Sequence, residues 1–295
     1  MILRKIIGIA AIALPSILFA QKDITVTESP KEMSLGTQNA YVLTIPEAKA
    51  KDINDDWQRQ AKKDTKGKVE EIKGEVKTTL ITVKNISQVP LTIYSRILET
   101  KEGIQLSAWF VEGDSFISTT LSADKSAAVQ KYLHDFGVQE YKAIAQKQLD
   151  EELKKQKDLQ KIYDGFVKDQ TKADKAVTDA QKDIVKLQEK NKEEEGNIKQ
   201  AKADKEANNA TANQQKNSDA EQKHAKELQK IIKDQQNAES NIKSNTKRIE
   251  RLQDKIKEET SNSEKAKSNQ GPAQSNVDAQ KTQVAAAQDK LKNIK

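Results

Sequence analysis

The residues able to do chemistry in this chain are few and poorly spaced for it. Of its two histidines, His134 lies in a stretch patterned as a helix and His224 lies far downstream, and there is no cysteine. Zinc needs three or four convergent ligands, so both histidines read as surface or seam residues. Asp52-Ile53-Asn54-Asp55-Asp56-Trp57 begins like a calcium loop, with oxygen-bearing side chains at alternate positions. Its sixth position is Trp57, where the sharp turn needs glycine, and its twelfth is Lys63, where a bidentate glutamate belongs. The stretch reads instead as one face of a helix, and no metal or cofactor site is assigned.

Asp114, Ser115 and Ser118 with His134 have the residue types of a hydrolase triad, but no serine sits in a G-x-S-x-G elbow. Glu193-Glu194-Glu195 has only the composition of a paired-carboxylate site; on one continuous helix it reads as a solvated face. Glycine-rich phosphate loops do not occur. The chain therefore reads as a non-enzyme. Trp109 with Phe110 is the candidate recognition pair: exposed side by side, they would form a protein-binding patch, whereas a pocket near Trp57 and Trp109 would mark a small-ligand head.

The element that organises everything else is the polar tract from Leu149 to Lys295, in which a thin apolar stripe recurs at steps of three and four. One seam runs through Val177, Ala180, Ile184, Leu187 and Ile198, and a second through Leu228, Ile231, Ile242, Ile249, Leu252 and Ile256. The two phases do not match when extended towards each other, and Asn208 to Asp219 between them is rich in side chains that compete for backbone hydrogen bonds. An antiparallel hairpin follows: arm one 137–207, turn 208–219, arm two 220–295. At about 1.5 Å per residue, the 64 residues from 149 to 212 extend roughly 95 Å. Opposing residues whose numbers sum to 429 sets Leu187 against Ile242 and Ile198 against Ile231. Registers of 422 or 436 keep the period but set Leu187 against Gln235 or Ile242 against Glu194, so 429 is preferred. Polar seam residues Asn191, Glu194, Lys205 and Asn208 either fix register or are merely tolerated. Gly271-Pro272 predicts a kink or break in arm two.

Upstream, residues 21–136 read as a small α+β head. Strands are expected at 24–27, 37–45, 69–72, 78–83, 91–98 and 104–111, with a helix at 47–63 carrying Ile53, Trp57 and Ala61 on one side. Ser122 is the expected N-cap of a second helix that weakens at Gly137 and runs on into the coiled coil. Arg4 and Lys5 before the apolar run from Ile6 to Phe19 predict a signal peptide over 1–20, and no transmembrane segment remains after its cleavage. The expected location is the periplasm or outside the cell. Removing Arg4 and Lys5 lowers the formal charge from +6 to +4, and the remaining charges alternate in sign along the helices, which argues against nucleic acid. The fold class is thus α+β, a mainly antiparallel sheet followed by a long helical hairpin, with a protein partner or self-association through the coiled coil.

Met33-Ser34-Leu35-Gly36-Thr37-Gln38-Asn39-Ala40 leading to Pro46, Ala108-Trp109-Phe110 with Gly113 and Phe116-Ile117-Ser118, and a Lys/Glu/Gln-rich coiled coil ending in Leu291-Lys292-Asn293-Ile294-Lys295 together resemble a group of uncharacterised exported proteins of Bacteroidota. The resemblance covers most of the chain. It implies export into a Gram-negative envelope and carries over no functional residues. Three functions stay open: a structural spacer, scaffold or interaction module; an adaptor or regulator of envelope machinery; and a ligand-binding head oligomerised by its coil.

Overall fold

The computed structural model describes residues 23–63, 67–212 and 218–295. The expected signal peptide and the expected turn centre at Gln214/Gln215 lie outside the described residues. Seven strands form one antiparallel sheet: β1 (Val26–Met33), β2 (Gly36–Ile45), β3 (Val69–Ile72), β4 (Glu75–Ile81), β5 (Leu91–Thr100), β6 (Gly103–Glu112) and β7 (Ser115–Phe116). The described residues also form three helices: α1 (Ala50–Lys62), α2 (Ala123–Ala212) and α3 (Ser218–Asn293). The sheet order is β1-β2-β6-β5-β4-β3, with β7 paired to the end of β6. This is the α+β fold with a helical hairpin, α2 and α3 packing against each other. The described residues divide into two compact units, 23–158 with 278–295, and 159–277.

In the first unit, alternation along the strands places Tyr41, Leu43, Ile93, Leu106 and Phe110 in one core, completed by Ile53 and Trp57 of α1 and by Leu133, Phe136 and Tyr141 of α2. Trp57 meets Phe136 edge-on at 5.2 Å and Tyr132 at 6.0 Å. The opposite face carries a second, smaller cluster of Met33, Ala40, Val42, Tyr94, Trp109 and Val111. Its cover comes from the sheet itself. The Ser34 amide in the β1–β2 turn donates to both carboxylate oxygens of Glu75 at 3.0 and 3.1 Å, although β2, β6 and β5 separate β1 from β4. The sheet therefore curls until the first hairpin closes over Trp109, whose indole donates to the Gln38 carbonyl. Glu75 is fully buried and also holds Arg96 at 2.6 Å, so its charge is paired where water cannot reach it.

β1 is longer than the expected strand at 24–27. Most of it, Glu28 to Glu32, is polar and contains Pro30, which an edge strand tolerates because no neighbour needs its amide on the outer side. α2 begins at Ala123, directly after the expected cap Ser122, whose carbonyl accepts from the Ser126 amide at 2.9 Å. Gly137 does not weaken the helix. A Cβ there would stand 2.7 Å from Leu43 Cδ1 and 2.8 Å from Ile24 Cγ2, so the missing side chain lets α2 approach the sheet. The core continues past it to Tyr141 and Ala145 and takes in Ile294 near the C-terminus.

The turn and the course of arm two differ from expectation. α2 runs on to Ala212 and α3 starts at Ser218, so helix occupies both ends of the segment 208–219 assigned to a turn. Pairing across the arms, such as Asn208 with Glu227, overrides the low helix propensity of the asparagines. Of the kink or break expected at Gly271-Pro272, the break does not occur: α3 is one helix with Pro272 inside it. Proline removes one backbone bond, at a cost of about 3 kcal/mol, but Ala266, Ala273 and Val277 are buried on both sides of it. That apolar contact holds the helix phase through the proline.

Candidate functional site

The residues assigned to recognition occupy very different environments. Trp109 and Phe110 are both 0% exposed. As neighbours on β6 they point to opposite faces of the sheet, Phe110 into the larger core and Trp109 under the curled first hairpin. They form no shared surface patch, which corrects the expectation for this pair. Trp57 and Trp109 likewise lie in separate cores, so no pocket forms between them. Instead the head carries an open groove of about 520 Å³ between the end of α1, the residues after β4 and α2, lined by Lys63, Ile81, Lys84 and Tyr132 among others.

None of the chemical constellations assembles among the described residues. His134 is half-exposed beside Asp135, and no group of three or more acidic, histidine or cysteine side chains is placed to hold a metal ion. Asp52 to Trp57 forms the middle of α1, with Ile53 and Trp57 turned into the core.

The seam residues do come together. In the unit 159–277, Ala180 and Leu187 are buried, whereas Val177, Ile184, Ile198, Leu228, Ile231, Ile242, Ile249, Leu252 and Ile256 are only half-buried. The other well-buried seam positions are small or short: Ala173, Ala201, Ala238, Ala266, Ala273 and Val277. Alanines bring the two helices close, and the larger aliphatic side chains ride beside that contact with part of their surface still in water.

A series of polar contacts fixes how the arms align. Asn245 donates its amide to Asn191 Oδ1 at 2.9 Å, a pair whose residue numbers sum to 436. Asn241 donates to Glu194 Oε1 at 2.8 Å, Asn208 to Glu227 at 3.2 Å, Ser263 to Asp174 at 2.5 Å and Gln270 to Gln170 at 2.7 Å. The register is therefore one heptad away from 429. Placing Ile242 opposite Glu194 counted against this alignment on apolar matching alone, but the Glu194 carboxylate bonds Asn241, the neighbour of Ile242, and is not left unsatisfied. Under 429, Asn245 would have faced Ile184 and Asn191 would have faced Ala238, stranding two amides at a half-buried seam.

Within the first unit, the ends of α2 and α3 are joined by a second polar cluster. Lys290, 4% exposed, donates to Glu47 Oε2 at 2.6 Å and to Gln148 Oε1 at 2.9 Å, and its ammonium stands 5.2 Å from the Tyr141 ring centre. Gln148 in turn donates to Glu47 at 2.7 Å, and Glu47 holds a left-handed backbone with φ 58°. One turn further along, the Gln280 amide donates to the backbone and side chain of Glu152. Burial opposes ionisation of Glu152, but hydrogen bonds from Lys155 and Gln280 outweigh it and hold the carboxyl below its ordinary range. Both clusters were invisible to apolar periodicity; the signal available in the sequence was that Lys290 and Gln280 fall close to the seam phase of arm two.

No protein-family model matches the chain, and no curated protein matches it.

Proposed function

We propose that this protein is a non-enzymatic, exported scaffold or protein-interaction module whose working surface is the hairpin of α2 and α3. The observation that carries the reading is the composition of the seam. Alanines and a series of matched polar pairs set a single alignment, while most of the large aliphatic residues keep part of their surface in water. A helical pair built in this way gains specificity at some expense of stability, and further apolar burial is available when another helix packs along it. Export is supported by the basic and then apolar pattern of residues 1–20. Among the described residues no helix is long and apolar enough to cross a membrane.

The test is site-specific photo-crosslinking in the native host, with the crosslinker placed at exposed hairpin positions such as Val185 and at exposed head positions such as Leu98. Discrete adducts confined to hairpin positions are expected. Adducts confined to the head would contradict the reading and move recognition to the sheet or its groove.

A further inference from the structure

The groove on the head has a lining that is one-sided in charge. It holds about 520 Å³ between the end of α1, the residues after β4 and α2, and Lys63 and Lys84 stand on it with the neutral Gln60, Thr82 and Asn85. No aspartate or glutamate is among the described residues that line it, and neither lysine has an ion-pair partner among the described residues. Beneath the two ammonium groups the surface is apolar. Ile81 is buried, and the Tyr132 ring is held edge-on by Trp57 at 6.0 Å and by Phe110 at 6.3 Å. Ile53 and Trp57 anchor α1 in the main core, so the wall that α1 supplies is fixed.

The opposite wall follows from a backbone irregularity. β3 pairs with β4 only from Glu75 to Thr78, and the register of β4 against β5 slips between Thr78 and Ile81. Within that slip Leu80 takes a left-handed backbone with φ 58°, while its side chain stays 57% exposed. The conformation is unfavourable for any residue with a Cβ, and here no burial of the side chain offsets it. Its effect is to end the strand at Ile81, so that residues 82–85 leave the sheet and wall the groove.

We propose that this groove binds a small organic anion, its apolar body lying on Ile81 and Tyr132 and its carboxylate, or a sulfonate in its place, facing Lys63 and Lys84. The volume is that of a small-molecule cleft. Two lysines without an acid favour an anion and disfavour a cation, and the side chains of Gln60, Thr82 and Asn85 add neutral hydrogen-bond donors. The site belongs to the head and does not depend on a protein partner at the hairpin.

The experiment is titration of the full chain with anilinonaphthalene sulfonate, an anion on an aromatic body, and with phenylnaphthylamine, the same body without the charge, read by probe fluorescence. The sulfonate should bind at least about fivefold more tightly than the amine. Lys63→Gln/Lys84→Gln should weaken the sulfonate by about fivefold, as the loss of two exposed ion pairs would, and leave the amine unchanged. Decanoate, a carboxylate on an apolar chain, should displace the sulfonate. Lys190→Gln/Lys192→Gln, on the exposed face of the hairpin, should change neither probe. All four lysines are exposed, so the variants keep the fold, which circular dichroism checks. Absence of sulfonate binding, equal affinity for the two probes, failure of decanoate to displace, or sulfonate binding that survives Lys63→Gln/Lys84→Gln or falls equally in the hairpin variant would each overturn the proposal.

Discussion

At the scale of single residues, the head is secured by side chains whose roles depend on partners distant in sequence. Lys290 is the clearest case: its ammonium is buried and satisfied by Glu47, Gln148 and the face of Tyr141, which joins the last turns of α3 to α2 and to the turn after β2. Replacing Lys290 by Met keeps the stem and removes the charge. Glu47 then loses its cation, and denaturant unfolding of the first unit should show a loss of about 1–3 kcal/mol, typical of hydrogen bonds to a charged group. An unchanged midpoint would mean that packing of the stem alone holds the helix end. Neighbouring residues also show why the candidate site was only partly legible. Trp109 and Phe110 were recognisable as large apolar residues on a strand, and their opposite orientation follows from alternation. The burial of Trp109 required the curled first hairpin and the Ser34–Glu75 contact, and neither leaves a local mark in the sequence. Gly137 has the same character: in sequence it is a poor helix former, whereas in the fold it is where α2 meets Leu43 and Ile24.

At the scale of elements, periodicity was a good guide to type and a poor guide to alignment. The 3.6-residue stripe identified both arms, and alternation with turn residues located four of the six longer strands closely, while β4 begins three residues before the expected 78–83. β1 escaped beyond residue 27 because an edge strand can be polar and can hold a proline. Apolar matching alone favours an arm register one heptad from the observed one because it gives the asparagines no weight, whereas Asn191 and Asn245 are partners. This assigns the pair a definite energetic role. Replacing both by Leu should raise the melting temperature of the hairpin, since apolar seam residues are more stabilising than a polar pair, and should at the same time populate heptad-shifted alignments. Circular dichroism reads the first effect and amide exchange along the arms reads the second. A lower melting temperature would show the pair to be a net source of stability. The unbroken course of α3 through Pro272 makes a related point: the local cost of a proline was legible, and the buried Ala266, Ala273 and Val277 that outweigh it were legible only as a phase.

At the scale of the whole molecule, one third of the residues are charged and only 4% are aromatic. Such a composition supports little apolar core, and the first unit holds most of it, a larger cluster that includes Ile294 from near the C-terminus and a smaller one on the other face of the sheet. Among the described residues, the second unit, 159–277, has no comparable core and relies on a thin seam of alanines, half-buried aliphatics and polar pairs. The account of function rests on that hairpin being closed within one chain in a single register. The chain contains no cysteine, so introduced thiols are unambiguous. The direct measurement is crosslinking of Asn191→Cys/Asn245→Cys with a short bifunctional thiol reagent at high dilution, compared with Asn191→Cys/Ala238→Cys. The account predicts rapid crosslinking within a single chain for the first pair and little for the second. Products that join two chains, or faster reaction of the second pair, would contradict it.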